Sequence, residues 1–268
     1  MQHTASGYVA TSFRTLPRFR AHRVSTVAEA VNAIAMAERP AILAGGTDLP
    51  ASFNEGFQPT DVIDISRVAE LQQIARDGDR LSIGAAVTHA VGASDALISQ
   101  SIPGFAQAWA RIANVRIRLS ATIGGNLMAR RTRYEGAILL SALDATLCFA
   151  TAAGRVDCPV AAIWTDSLPS GLLTHICVPT RPGLRLDYDR TLRPILTQAL
   201  ALDAGGNGHI VTATEHVAPR VAVVAARQPQ SPFSTARFGD PVTSDVYINR
   251  VAGVLASRQF ERLTKSAA

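Results

Sequence analysis

Residues 121–134 read ATIGGNLMARRTRY, and residues 41–50 read AILAGGTDLP. Each stretch places two glycines directly after apolar residues and beside short polar side chains, Thr47 and Asp48 in one and Thr122 and Asn126 in the other. A turn without Cβ atoms lets backbone N–H groups come close to a ligand. Successive N–H groups pointing one way form a nest for an anion. Two such loops leaving different strands suit two linked phosphates. Neither contains the lysine of a P-loop, so triphosphate hydrolysis fits poorly. For either glycine pair alone a plain turn is the favoured reading, and the two together strengthen the case for a ligand only moderately.

Working outward from the first loop, Thr26 and Glu29 have capping-box spacing, and Val27, Val31, Ile34 and Ala35 recur at helical intervals before Pro40. AILA at 41–44 then reads as a short strand entering Gly45-Gly46. The order helix, strand, glycine turn is the reverse of a dinucleotide fingerprint, in which the glycines open a helix. DVIDI at 61–65 and RLSIGAA at 80–86 read as strands, with RDGD at 76–79 as the turn between them. Short helical pieces follow VTHA at 87–90. Pro103 is expected to open a helix carrying Phe105, Trp109, Ile112 and Ala113 on one face, an apolar stripe better explained by a core than by a cofactor.

Working outward from the second loop, residues 135–142 read as a helix, and DATLCFAT (144–151) and GLLTHICVP (171–179) as strands. TRPG at 180–183 is a natural junction. RLDYDR and TQALALD read as strands, AGGNGH at 204–209 as a hairpin turn, and 227–241 as a loop. The last helix starts near Ser244, with Tyr247, Val251, Val254 and Leu255 as its expected apolar stripe. There are no internal repeats.

The 268 residues are 47% hydrophobic and 18% charged, enough for a substantial core and too apolar for disorder. No apolar run is long enough to span a bilayer. The basic first residues lack the apolar segment of a secretory signal, and a short ordered lead-in arm is the simpler reading. The net charge of +5 comes mostly from scattered arginines. Only Arg130, Arg131 and Arg133 cluster, with no aromatic platform between them. That favours a basic surface able to dock an acidic partner over a nucleic-acid site. Cys148, Cys158 and Cys177 form no C-x-x-C motif, complete no zinc pattern, and are too few for an iron–sulfur cluster. The odd count, with Cys148 and Cys177 alternating with apolar residues, fits buried thiols in a reducing, cytoplasmic setting.

The two glycine loops, in the setting of STVAEAV, VIDIS, LSIGAAVTHA, IANVRIRLSATIGGN and LLTHICVP, resemble the flavin-binding loops of the FAD subunit of molybdenum hydroxylases. This family includes the carbon monoxide and xanthine dehydrogenases. The resemblance runs from about Arg18 to Pro179 and is looser beyond. It implies an α+β fold, with a two-subdomain FAD-binding domain (1–179) followed by a small α/β C-terminal domain (180–268). It implies that FAD is held by Ala44, Gly45, Gly46, Thr47, Asp48 and Leu49 from one loop, and by Thr122, Ile123, Gly124, Gly125 and Asn126 from the other. Glu135 stands where the family usually has an aspartate. Leu173 and Ile112 align with flavin-lining positions, and Tyr188 lies near another. His89 is read as part of a capped turn or as a surface histidine.

The arginine run is the main departure from the family. It places cations beside the phosphates or on a solvated or partner-facing surface. On this resemblance the chain carries electrons from an iron–sulfur subunit, itself fed by a molybdopterin subunit, through FAD to an acceptor. Two alternatives stay open, a self-contained flavin oxidoreductase and a non-catalytic FAD-fold scaffold.

Overall fold

The structure is a computed structural model and describes residues 16–165, 167–193, 195–225 and 232–265. The start of the lead-in arm and residues 227–231 of the expected long loop lie outside the described residues.

Three sheets make up the described chain. The first is parallel, with strands β1 (Arg20–Arg23), β2 (Pro40–Leu43) and β3 (Asp61–Asp64) in the order β1-β3-β2. Buried Asp61 of β3 anchors the edge strand: Arg20 Nε donates to its carboxylate at 2.8 Å, and His22 Nε2 lies 2.7 Å from it. Helix α1 (Val27–Met36) crosses between β1 and β2. Thr26 caps it by accepting the Glu29 N–H at 3.2 Å, while the Glu29 carboxylate accepts from the Ser25 N–H at 2.7 Å, one residue before the expected capping-box position.

The second sheet is antiparallel, in the order β4-β5-β8-β6-β7. Its strands are β4 (Ile74–Asp77), β5 (Arg80–Gly84), β6 (Thr146–Thr151), β7 (Gly154–Pro159) and β8 (Leu172–Pro179). Arg76 and Asp77, expected in a turn, belong to β4, and the turn itself is centred on Gly78, whose φ is +59°. Helix α1 packs against β3, β6 and β8, so it is the joint between the first two sheets.

Six helices pack over the other face of the second sheet or beside it: α3 (His89–Ser94), α4 (Ala96–Ser101), α5 (Phe105–Ala110), α6 (Val115–Ser120), α7 (Ile123–Met128) and α8 (Glu135–Ala142). A short α2 (Leu49–Asn54) follows the first glycine pair. Helix α5 starts after Gly104, whose φ is +90°, and ends before Ile112. The expected longer helix therefore breaks at Arg111, and Ala113 takes a left-handed φ of +51°. Helix α8 is buried on nearly every side, as befits a helix enclosed in the main core.

The third sheet, β12-β11-β10-β9, holds β9 (Arg185–Arg190), β10 (Leu196–Leu202), β11 (Asn207–Thr214) and β12 (Arg220–Ala225). Helix α8 covers one face, and the terminal α9 (Asp245–Lys265) the other. All of β10 is buried because both faces are covered. Helix α9 presents Ile248, Ala252, Leu255, Ala256, Gln259, Phe260 and Leu263 to this sheet, whereas Tyr247 and Val254 of the expected stripe are exposed. Buried Gln259 belongs on that face because its amide meets Gln198: Gln198 Nε2 donates to Gln259 Oε1 at 2.8 Å, and Gln259 Nε2 donates to the Gln198 carbonyl at 3.1 Å.

Candidate functional site

The first glycine loop leaves the C-terminal end of β2. Gly46 has φ +66°, a left-handed conformation that favours glycine. The backbone N–H groups of Gly45, Gly46, Thr47 and Asp48 donate to no group among the described residues. Asp48 does not cap α2 with its side chain. Its carboxylate accepts the Tyr134 hydroxyl at 2.7 Å. This loop is therefore an open row of donors, the arrangement expected of an anion nest.

The second glycine pair is built differently. It is the first turn of α7, and its donors are already engaged. The Ile123 N–H goes to the Val87 carbonyl (3.0 Å), that of Gly124 to the Ala85 carbonyl (2.8 Å) and that of Asn126 to the Thr122 carbonyl (2.9 Å). The Gly125 N–H goes to the capping Thr122 Oγ1 at 3.1 Å. The expected second nest is thus absent here, and these glycines permit close approach instead. A Cβ on Gly124 would sit 2.6 Å from the Ala85 carbonyl oxygen, and one on Gly45 would collide with the Ser120 carbonyl just before α7. The glycines press the two loops together. Asn126 Oδ1 accepts the Gly136 N–H at 3.2 Å, which ties α7 to α8.

Between the loops lies a cleft of about 820 Å³. Ala44, Gly45, Gly46, Thr47, Asp48, Leu49, Thr122, Gly124, Gly125, Asn126, Glu135 and Leu173 all line it. Ile123 does not: its side chain is in the core behind. Ile65, Ala85, Ile112, Ile117 and Leu172 supply further apolar wall, and Arg131, Arg133, Tyr134 and Arg190 further polar groups. Tyr134 and Arg190 were invisible to sequence reasoning, because their partners in the site are remote in sequence.

Three titratable groups are held firmly. The buried Glu135 carboxylate accepts from Arg190 Nη1 at 2.8 Å and from the Tyr188 hydroxyl at 3.3 Å. Tyr188 is buried behind it, with the Arg111 guanidinium 5.0 Å from its ring centre, and does not line the cleft. Burial first, and then the Glu135 charge, pushes the Tyr188 phenol well above its ordinary value. His89 does follow a capped turn, with Thr88 Oγ1 accepting the Val91 N–H. It is not a surface residue, however: it is buried and faces the cleft. Burial, and secondarily the Arg118 charge, brings it down to about 4, so it is neutral near pH 7.

Residues 17–181 match the family model described as the FAD binding domain in molybdopterin dehydrogenase. The chain belongs to this family. The alpha subunit of the 6-hydroxypseudooxynicotine dehydrogenase complex of Paenarthrobacter nicotinovorans is 32% identical over 65% of this chain and 60% of its own length. The nicotine 6-hydroxylase medium subunit of the same organism is 28% identical over 63% of this chain and 62% of its own. The chain thus spans somewhat under two thirds of these relatives. The fold is also that of a carbon monoxide dehydrogenase chain from Hydrogenophaga pseudoflava, with a TM-score of 0.82 at 22% identity, covering 95% of this chain and all of that one. Among the described residues no helix is long and apolar enough to cross a membrane.

The structure divides the arginine run three ways. Arg130, at φ +51°, donates to the Thr165 carbonyl at 3.1 Å and serves as a tether. Arg131 grips both Glu55 oxygens, at 2.9 and 2.8 Å, and clasps the segment after the first loop to the segment after the second. Among the described residues its buried Nε has no hydrogen-bond partner, and it lies 3.8 Å from Asp48 Oδ1. Arg133 lines the cleft, 5.9 Å from the Tyr134 ring centre, with no carboxylate within 4.0 Å among the described residues.

Proposed function

We propose that this chain is the FAD-carrying subunit of a multi-subunit molybdenum hydroxylase, taking electrons from an iron–sulfur partner chain and handing them to an external acceptor. The observation that carries the reading is the open row of N–H donors at Gly45–Asp48, facing a cleft of about 820 Å³ in a chain of the FAD-binding family.

FAD fits these residues. The unengaged donors and the left-handed Gly46 would hold the pyrophosphate. The open Arg133 would add positive charge, which phosphate oxygens accept well. Thr47, Thr122 and Asn126 would reach sugar and ribityl hydroxyls, with Glu135 as an acceptor. Ile112 and Leu173 would offer apolar wall to the ring system. Neutral His89 keeps a second cation away from that wall. When bound, FAD supplies one- and two-electron redox chemistry, and the protein supplies its binding and orientation.

The match to the family model ends at residue 181, which supports a division into an FAD-binding domain (1–179) and a C-terminal domain (180–268). The relatives are named as an alpha subunit of a dehydrogenase complex and as a medium subunit. Those names support assembly with other chains of a complex, and the family's description supports a molybdopterin chain among them. The cysteine usage supports a cytoplasmic setting.

The test is an absorption spectrum of the chain purified from its own host through a tag, with the released chromophore identified by mass and the co-purifying chains assayed for iron and molybdenum. Stoichiometric FAD together with both metals is the expected result. A folded chain that takes up no FAD on reconstitution overturns the cofactor assignment. FAD without either metal overturns the assignment as a subunit.

A further inference from the structure

On the face of the second sheet turned away from the main core, Cys148 of β6 and Cys177 of β8 bring their sulfurs to 3.3 Å. The strands are antiparallel neighbours, with Cys148 opposite His175 and Cys177 opposite Thr146, so the thiols form a diagonal cross-strand pair. Arg155 of β7 donates to Cys148 Sγ at 3.2 Å while paired with Asp157 at 2.8 Å. Neither sulfur residue lines the flavin cleft. The third thiol, Cys158, packs against the opposite, core-facing side of the sheet.

We propose that Cys148 and Cys177 are a reversible thiol–disulfide pair, oxidised by a hydroperoxide, with Cys177 the attacking and Cys148 the resolving sulfur. The roles follow from access: Cys177 is partly exposed, whereas Cys148 is buried. A thiolate is the reactive form, and it is favoured by a nearby guanidinium and by a donated S–H. Both are present. The hydrogen bond between the two sulfurs, and then the charges of Arg155 and Arg80, hold Cys177 below the ordinary thiol value. The Cys177 thiolate attacks the terminal peroxide oxygen. The O–O bond breaks, Cys177 becomes a sulfenic acid, and the alkoxide or hydroxide leaves as an alcohol or water on taking a proton. Cys148 sulfur then attacks the sulfenic sulfur, and the displaced hydroxide takes the Cys148 proton as water. Two thiols and one hydroperoxide thus yield one disulfide, one alcohol or water, and one water.

A disulfide bond of about 2.05 Å requires the sulfurs to approach by roughly 1.3 Å. The ladder is already disrupted beside the pair, where the register shifts between Cys148 and Phe149.

The test treats the full-length chain, purified under reducing conditions and then desalted, with hydrogen peroxide. Free thiols are counted and the peptides mapped by mass. The expected result is a fall from three free thiols to one, a Cys148–Cys177 linked peptide, and full recovery with dithiothreitol. Cys148→Ser should leave a sulfenic acid on Cys177 that a dimedone-type reagent traps, and Cys177→Ser should leave Cys148 unlabelled. Three persisting thiols, or irreversible oxidation without the linked peptide, overturns the proposal. A sulfenic acid trapped on Cys148 in Cys177→Ser overturns the assignment of roles. The wild-type peptide map stands by itself if either variant fails to fold.

Discussion

Trp109 donates its indole N–H to His89 Nδ1 across 2.7 Å, with both side chains buried. An accepting Nδ1 leaves the proton of the neutral ring on Nε2. The contact therefore fixes both the tautomer and the charge of a residue that faces the cleft.

That arrangement makes stability depend on pH. The folded pKa of about 4 lies below the ordinary value of 6.5. Between these values the unfolded chain binds a proton that the native chain does not. The stability linked to neutral His89 is thus complete above pH 6.5 and is lost as pH falls toward 4, by at most about 1.4 kcal/mol per pH unit. Denaturant titrations of wild type and His89→Gln at pH 7.5 and pH 5 should show the wild type losing more stability on acidification. Equal losses would contradict the assignment.

Gly45 and Gly46 should respond differently to alanine. At Gly45 the new Cβ meets backbone, the Ser120 carbonyl, and the two loops must separate. At Gly46 the nearest atom is Leu43 Cδ1 at 3.4 Å, and only the left-handed φ is strained. Gly46→Ala should cost about 1 kcal/mol, and Gly45→Ala about 2–3 kcal/mol with a larger loss of FAD. Thermal melts and FAD titration check the order, and the reverse order would show that the loops are not in contact.

The Glu135–Arg190 pair joins the cleft to the third sheet. Arg190→Ala leaves a buried carboxylate with only the Tyr188 hydroxyl, and should destabilise by about 1–3 kcal/mol. Combined with Glu135→Gln, part of that loss should be recovered. A double-mutant cycle from urea unfolding measures the coupling, and strict additivity would mean that the pair contributes nothing.

Arg133 and Arg130 are two residues of one run with opposite expectations. Arg133→Ala should raise the FAD dissociation constant about tenfold (about 1.4 kcal/mol), with the effect shrinking at high salt. Arg130→Ala should leave it unchanged. Fluorescence titration of the apoprotein at two salt concentrations separates them.

Elements with a strong local signature were legible in the sequence. Helix 135–142, strands β6 and β8, and the AGGNGH hairpin needed only periodicity and turn chemistry. Strands β4 and β7 escaped because as sheet edges they are largely exposed and do not alternate. Helix α7 was read as a loop because two glycines argue against a helix. The local Thr122 cap and the carbonyls of Val87 and Ala85 override that propensity, and the two carbonyls come from tertiary structure. The stripe of α9 was misplaced because its buried face includes Gln259, which an apolar pattern cannot contain. In the site, the loops carried a recognisable sequence. The partners of Glu135 and Arg131 did not, since pairing with Arg190 and Glu55 depends on the closed fold.

In the second sheet, β5 pairs with β8 so that Arg80 faces Pro179, with β6 on the other side of β8. The central strand is thus the last of its sheet to leave the ribosome, and it carries Leu172 and Leu173, part of the wall of the cleft. A nascent chain that has already displayed both glycine loops still has no complete pocket between them. Closing so long a loop is slow compared with local folding. A complete wall for the flavin is therefore a late product of synthesis, present only once β8 has been made.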